Sequence, residues 1–443
     1  MNNENEGKKE MKEQEGKGRE LIKQLSTQLS GGGVYLTAFV KWTILASIMG
    51  GVCGLIGAAF HRAIEFVSEL NHANPWLLYL LPVFGVILVF AYRACGQIND
   101  RGTNQVLDSV TTPEKVTPQL APLIFLASVL THLGGGSAGR EGAALQIGAS
   151  VAATAGKLLK LDEKDIKTLT LCGMSAVFSS LFGTPLAAAV FSLEVVSVGI
   201  MYYSALYPCI LASITAFAVT GKMGIAIGDH LMTYTNEFMY STLFQVLVVA
   251  VLSGLVSILF CIVTGHVHKW FHTYIKNDYL RIIVGGLAVI ALTLLYGTRL
   301  YNGVGMDTII AFLGGEPARP EMFLLKLLLT AVTLGCGFRG GEIVPCMFVG
   351  ASFGSFVSGL IGLDPGLGAA IGLISLFCGC VNCPVASMIL AMELFGGTEM
   401  LYFGLACAVS YELSGYFGVY TSQHFNYSKV NVEFLKERPH ARH

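Results

Sequence analysis

The chain has 443 residues, 53% of them hydrophobic and 13% charged, with a mean hydropathy of +0.62. Ordinary soluble domains carry about 25% charged residues, so composition excludes a water-soluble fold and indicates a polytopic membrane protein. A net charge of −1, from 28 basic and 29 acidic side chains, leaves no electrostatic footprint for nucleic acid.

Residues 1–33 are polar and of mixed charge, with Lys8, Lys9, Lys12, Lys17, Arg19 and Lys23 and no apolar signal-peptide core. The excess of lysine and arginine before the first apolar run predicts a cytoplasmic tail. Residues 34–66 are long enough to span, and 76–95 span back. Next come Gly102-Thr103-Asn104-Gln105 and a polar link with Pro113 and Pro118. The runs 121–132, 143–159, 169–182 and 186–201 are short, the last two cut apart by Gly183-Thr184-Pro185. Longer runs follow at 204–220 and 241–266. The pattern then repeats at 280–296, 323–334, 345–361, 368–380, 385–395 and 402–416. A first membrane half over 34–220, a second over 240–425 and a short tail over 426–443 are expected. Short segments punctuated by Gly and Pro predict half-helices that meet inside the membrane, around a buried site or cavity.

The two halves share landmarks. Gly102 precedes Glu141, and Gly303 precedes Glu342, by the same 39 residues (141 − 102; 342 − 303). Gly148-Ala149-Ser150 is echoed by Gly350-Ala351-Ser352, and Pro185…Glu194 by Pro384…Glu393. Repeats of this kind with broken helices are the mark of a transporter whose substrate binds near the midplane.

The chemistry concentrates at Arg140-Glu141, preceded by Gly134, Gly135, Gly136 and Gly139 and followed by Gly142 and a small-residue run that reads as a helix. Glu141 therefore lies at a helix N-terminus, where free N–H groups and roughly half a positive charge attract anions. The expectation is that its carboxylate and a diffusible anion compete for one position, and that protonation clears it. Arg140 is expected in a structural ion pair with Asp108. The glycine run lacks the Lys-Ser/Thr ending of a phosphate loop. Neither Cys378-Gly379-Cys380 nor the histidines 266, 268 and 272 have the companions of a metal site, so no metal and no cofactor are expected. The eleven cysteines read as buried small hydrophobes.

At Gly139-Arg140-Glu141-Gly142, Gly183-Thr184-Pro185 and Gly340-Gly341-Glu342-Ile343-Val344-Pro345, the chain resembles the CLC family of anion channels and anion/proton antiporters, over roughly residues 35–425. The resemblance implies an all-α membrane fold of two inverted repeats of tilted and broken helices, and a homodimer with one pore per subunit. It implies an anion site built by Thr103, Asn104, Glu342, Ile343, Val344 and Tyr420, with Glu141 as the gating, proton-carrying group. Two features are similar to the fluoride/proton antiporter branch. Val195 holds the place of the inner glutamate of chloride/proton antiporters, with Glu194 one residue short and facing elsewhere. Glu342 stands where most chloride members carry an apolar residue. The chain departs from the branch at Thr103, where a larger residue is usual, and at Val344, where some members are polar.

The sequence thus predicts a multi-pass plasma-membrane antiporter, not an enzyme, that exports fluoride in exchange for protons. Thr103 retains a hydroxyl, which keeps a chloride/proton exchanger or a passive chloride channel open as the alternative. A receptor or scaffold is disfavoured, because no extended soluble domain of the kind such a role uses is expected, and no metal or Ser–Lys motif supports an intramembrane enzyme.

Overall fold

In a computed structural model, residues 2–97, 100–112, 116–225, 239–431 and 433–437 are described, with the backbone alone for 2–32, 34 and 435–437. The expectations on Pro113, on the basic side chains of the N-terminal tail and on the last six residues fall outside what is described.

The first half comprises α1 (Asn2–Ala73), α2 (Leu81–Ala94), α3 (Thr103–Thr111), α4 (Leu120–Leu133), α5 (Glu141–Leu158), α6 (Glu163–Phe182), α7 (Pro185–Glu194) and α8 (Leu206–Lys222). The second comprises α9 (Tyr240–Tyr274), α10 (Asp278–Tyr296), α11 (Met306–Leu313), α12 (Met322–Gly335), α13 (Ile343–Ile361), α14 (Pro365–Val381), α15 (Pro384–Phe395) and α16 (Met400–Leu413). Among the described residues six helical stretches are long and apolar enough to cross a membrane: Tyr35–Ala73, Pro75–Ala94, Tyr203–Lys222, Tyr240–Tyr274, Asp278–Tyr296 and Ile343–Ile361. By contrast α7, with 10 residues, reaches only about 15 Å at 1.5 Å per residue, half the thickness of the hydrocarbon.

The same local chemistry punctuates both halves. The side chain of Asp162 caps α6 by accepting from the Asp165 amide at 2.7 Å, and Asp364 caps α14 from Leu367 at 2.8 Å. Gly183 and Asn382 end α6 and α14 in the left-handed conformation, with φ of 71° and 56°. Pro185 and Pro384 then open α7 and α15, where a missing N–H costs nothing. The 169–182 segment proves longer than its apolar run: α6 begins at Glu163, because the Asp162 cap starts two polar turns that hydropathy does not register. Two short helices, α3 and α11, complete the parallel. A small sheet interrupts the all-helical expectation: β1 (Ser197–Val198) pairs in parallel with β2 (His424–Tyr427), which pairs antiparallel with β3 (Phe434–Glu437).

Pairs of helices in each half pack backbone to backbone. A Cβ built on Gly148 of α5 would lie 2.1 Å from the Gly173 carbonyl oxygen of α6, and one on Gly173 would lie 2.2 Å from that of Gly148. In the second half Gly350 of α13 and Gly372 of α14 meet at 2.4 and 2.2 Å by the same measure. Small residues are what allow helices to associate where lipid removes the hydrophobic drive between them. All the cysteines except Cys95 are buried thiols within this packing.

Gly173→Val and Gly372→Val should each lower the stability of the detergent-solubilised protein by about 1–3 kcal/mol, the cost of overpacking a closed contact. Midpoints of denaturant unfolding read this; wild-type midpoints would show that the helices can separate freely.

Candidate functional site

The site is built where two helix N-termini are tied together. Gly139 and Gly341 form an antiparallel bridge, the Gly139 N–H donating to the Gly341 carbonyl at 2.7 Å and the Gly341 N–H to the Gly139 carbonyl at 2.6 Å. Each glycine lies two residues before a helix, so α5 and α13 begin side by side. Two such ends together present about one unit of positive charge.

Glu141, 1% exposed, turns its carboxylate into that field. Oε2 accepts the Arg140 N–H at 2.9 Å, and the backbone N–H groups of Glu141 and of Val344, in the first turn of α13, lie within electrostatic reach of the carboxylate. The carboxylate thereby faces the ends of both helices. A side chain at Gly139 would collide with it, since a Cβ there would sit 2.6 Å from Oε2. Ile343 and Val344 are fully buried beside it.

The halves match with a one-residue difference from the spacing of the glutamates. Arg140 is the N-cap of α5 and Glu342 the N-cap of α13, while Ile343 is the counterpart of Glu141 (343 − 141 = 202, as 341 − 139). Equal spacing from Gly102 and Gly303 aligned the two acids, but they occupy different positions at the bridge. Glu342 is half-buried and lies, with Glu141, within electrostatic reach of the Tyr420 hydroxyl. Tyr420 is 1% exposed and its hydroxyl has no hydrogen-bond partner among the described residues.

The expected Arg140–Asp108 pair does not form. Asp108 lies 3.0 Å from Arg101, seven residues earlier on the approach to α3, and it accepts the Ser422 hydroxyl at 2.7 Å. Arg140 faces Glu141 instead, its Nε 3.7 Å from Oε1. From α3, the Thr103 hydroxyl donates to the Gly142 carbonyl at 3.3 Å. Asn104 Oδ1 accepts the Ser422 N–H at 3.0 Å. An N–H donor requires the oxygen end of the amide, which fixes the orientation of Asn104 and keeps its Nδ2 donors off this contact.

Several contributors were not singled out from the sequence. Gln146 Nε2 donates to the Gly142 carbonyl at 3.2 Å and to Thr103 at 3.4 Å, tying α3 to the first turn of α5. A buried amide in a run of Ala and Gly was the available signal. His132 at the end of α4 sets Nδ1 2.7 Å from the Ser128 carbonyl and Nε2 3.1 Å from that of Ala138, in the glycine loop leading to Glu141. Lys326 of α12, fully buried, donates to the carbonyls of Tyr301, Gly303 and Val304 before α11.

Glu194 and Glu393 form a reciprocal pair of caps. The Glu194 carboxylate accepts from Val385 at 3.2 Å and Ala386 at 2.8 Å, at the start of α15. Glu393 accepts from Leu186 at 2.9 Å and Ala187 at 2.8 Å, at the start of α7. Glu194 thus faces the opposite half, and Val195 beside it is fully buried.

Glu194→Ala and Glu393→Ala should each destabilise the protein by about 1–3 kcal/mol, the cost of leaving buried helix-end donors unmet. The ratio of anions to protons moved in proteoliposomes should stay at the wild-type value; a changed ratio in Glu194→Gln would make that residue a proton relay.

Comparisons with known proteins bear on the family and the fold. A model of the voltage gated chloride channel family matches residues 84–415. A "Chloride/fluoride channel protein" of Pseudomonas syringae pv. tomato is 33% identical over 401 residues, covering 89% of this chain and 88% of its own. A crystal structure of a CLC-type fluoride/proton antiporter superposes with a TM-score of 0.83 at 31% identity, covering 87% of this chain and 98% of that one. A slow cyanobacterial Cl-/H+ antiporter shares the fold, with a TM-score of 0.71 at 18% identity over 84% of this chain and 94% of its own. Paired helix N-termini, a repeated pattern of helices in the two halves and a family match over most of the membrane region together make this chain a member of the voltage-gated chloride channel (CLC) family of multi-pass membrane anion transporters.

Proposed function

We propose that the protein exchanges fluoride for protons across the plasma membrane, with both termini in the cytoplasm and as a homodimer with one pathway per subunit. The observation that carries this reading is the seat of Glu141. Its carboxylate accepts the Arg140 N–H at the start of α5 and lies within electrostatic reach of the Val344 N–H of α13, the kind of donors that would hold a small anion. A deprotonated Glu141 and fluoride then exclude each other. Protonation removes the charge that holds the side chain between the helix ends, and it swings clear with its proton. Alternation of these states couples the two flows without a covalent step or a cofactor.

Fluoride gives up a strongly held hydration shell on entry, so the pathway must offer several donors. The N–H groups of Ile343 and Val344, the Tyr420 hydroxyl and the Asn104 Nδ2 donors are assigned that part. Glu342 sits close enough to Tyr420 to influence it. Thr103 acts as wall rather than ligand, because its hydroxyl is engaged with Gly142 and Gln146. That engagement weighs against a chloride-type site at this position. The Pseudomonas syringae protein and the fluoride/proton antiporter structure, whose descriptions mention fluoride, are 33% and 31% identical to this chain.

Proteoliposomes loaded with either anion should release fluoride at least about tenfold faster than chloride, equivalent to about 1.4 kcal/mol of discrimination. Equal or faster chloride efflux would reject fluoride as the substrate. Glu141→Gln should abolish uphill proton movement driven by a fluoride gradient. Retained proton pumping in that variant would remove Glu141 from the mechanism.

A further inference from the structure

We infer that Asp108 is a specificity-determining positioning residue, acting through Ser422 to set both side-chain anion donors of the pathway, Asn104 and Tyr420. The inference rests on the pathway proposed above and extends it to a group that touches no anion.

Asn104 and Asp108 are four residues apart on α3 and so lie on one face of that helix. Both grip the same residue 314 and 318 positions along the chain: Asp108 Oδ2 accepts the Ser422 hydroxyl at 2.7 Å, and Asn104 Oδ1 accepts the Ser422 N–H at 3.0 Å. Ser422 is two residues beyond Tyr420. On the other side of the strap, Gln423 donates to the Val381 carbonyl at 2.8 Å, and the Val419 N–H donates to the Cys380 carbonyl at 2.9 Å. Tyr420 is therefore suspended between α3 and the end of α14, with its hydroxyl free of hydrogen-bond partners among the described residues. Ser422 also decides which end of the Asn104 amide remains available.

Asp108 brings the one carboxyl side chain to this set of contacts, and a hydrogen bond to a charged acceptor is roughly twice as strong as a neutral one. Arg101, half-exposed at 49%, holds the same Oδ2 from outside at 3.0 Å. The Asp108 charge thus fixes the serine, the serine fixes the strap, and the strap aims two donors. A fluoride ion tolerates little slack in such donors, because each replaces part of a tightly bound water shell, whereas the larger chloride is less sensitive to it.

The test uses the full-length protein in proteoliposomes. Asp108→Asn and Ser422→Ala should each lower the fluoride-to-chloride rate ratio by about fivefold to tenfold and raise the fluoride KM, the factor lost with one charge-assisted hydrogen bond. The double variant should be no worse than either single one, since both remove the same link. In an Asn104→Ala/Tyr420→Phe background, Asp108→Asn should change the ratio by less than about twofold, with no donors left to aim. An unchanged ratio in both single variants, or the full loss persisting in that background, overturns the inference. If Asn104→Ala and Tyr420→Phe alone reduce the ratio while Asp108→Asn and Ser422→Ala do not, the pathway stands and the positioning role falls. If Asn104→Ala and Tyr420→Phe have no effect, both fall together. Ser422→Ala, which removes one oxygen and keeps the backbone, serves where Asp108→Asn does not fold.

Discussion

Two hydrogen bonds between Gly139 and Gly341 carry more of this structure than their number suggests. They join the two halves at their midpoints and place two helix ends, each with unfilled N–H groups, around one small volume. Inside a membrane such donors have no water to satisfy them, so something anionic or carbonyl-bearing must fill the space. The chain supplies its own occupant, the carboxylate of Glu141. A negative charge that would be prohibitively costly in hydrocarbon is tolerable because about one unit of helix-end charge faces it. The arrangement is balanced rather than saturated, and a balanced site is one whose occupant can be exchanged.

The surrounding elements restrain that site from several directions. Gln146 and Thr103 tie α3 to the first turn of α5. His132 holds the carbonyl of Ala138 in the glycine loop, and Lys326 gathers three carbonyls ahead of α11. These polar groups are buried, yet each meets backbone atoms that interrupted helices leave exposed. Broken helices and buried polar side chains are thus two aspects of one solution, since the first creates the unmet groups that the second satisfies.

Much of this was readable from the sequence, for reasons that can be traced to particular residues. Gly139-Arg140-Glu141-Gly142 is conspicuous because a charged pair in an apolar chain admits few uses. Short apolar runs separated by Gly and Pro announced the half-helices. The start of α6 was missed because Glu163 to Lys167 are polar, and only the Asp162 cap marks them as helical. The pairing of Arg140 with Asp108 failed because charge alone does not say which of two arginines is nearer, and Arg101 precedes the same short helix. Glu342 was aligned with Glu141 by counting from glycines in loops, yet loop lengths differ by one residue between halves while helix registers do not. No local pattern could have linked Asn104 or Asp108 to Ser422, more than 300 residues away. Long-range polar pairing leaves no trace in periodicity or composition.

The crossed caps of Glu194 and Glu393 carry an evolutionary corollary. Each half terminates a helix with the acid that the other half requires, so neither could close its own structure if synthesised alone. Two copies of one ancestral half, inserted in opposite orientations, would have satisfied both contacts with a single glutamate codon. Fusion of such a pair into one polypeptide would preserve the exchange while freeing the copies to diverge, as Glu141 and its counterpart Ile343 have done.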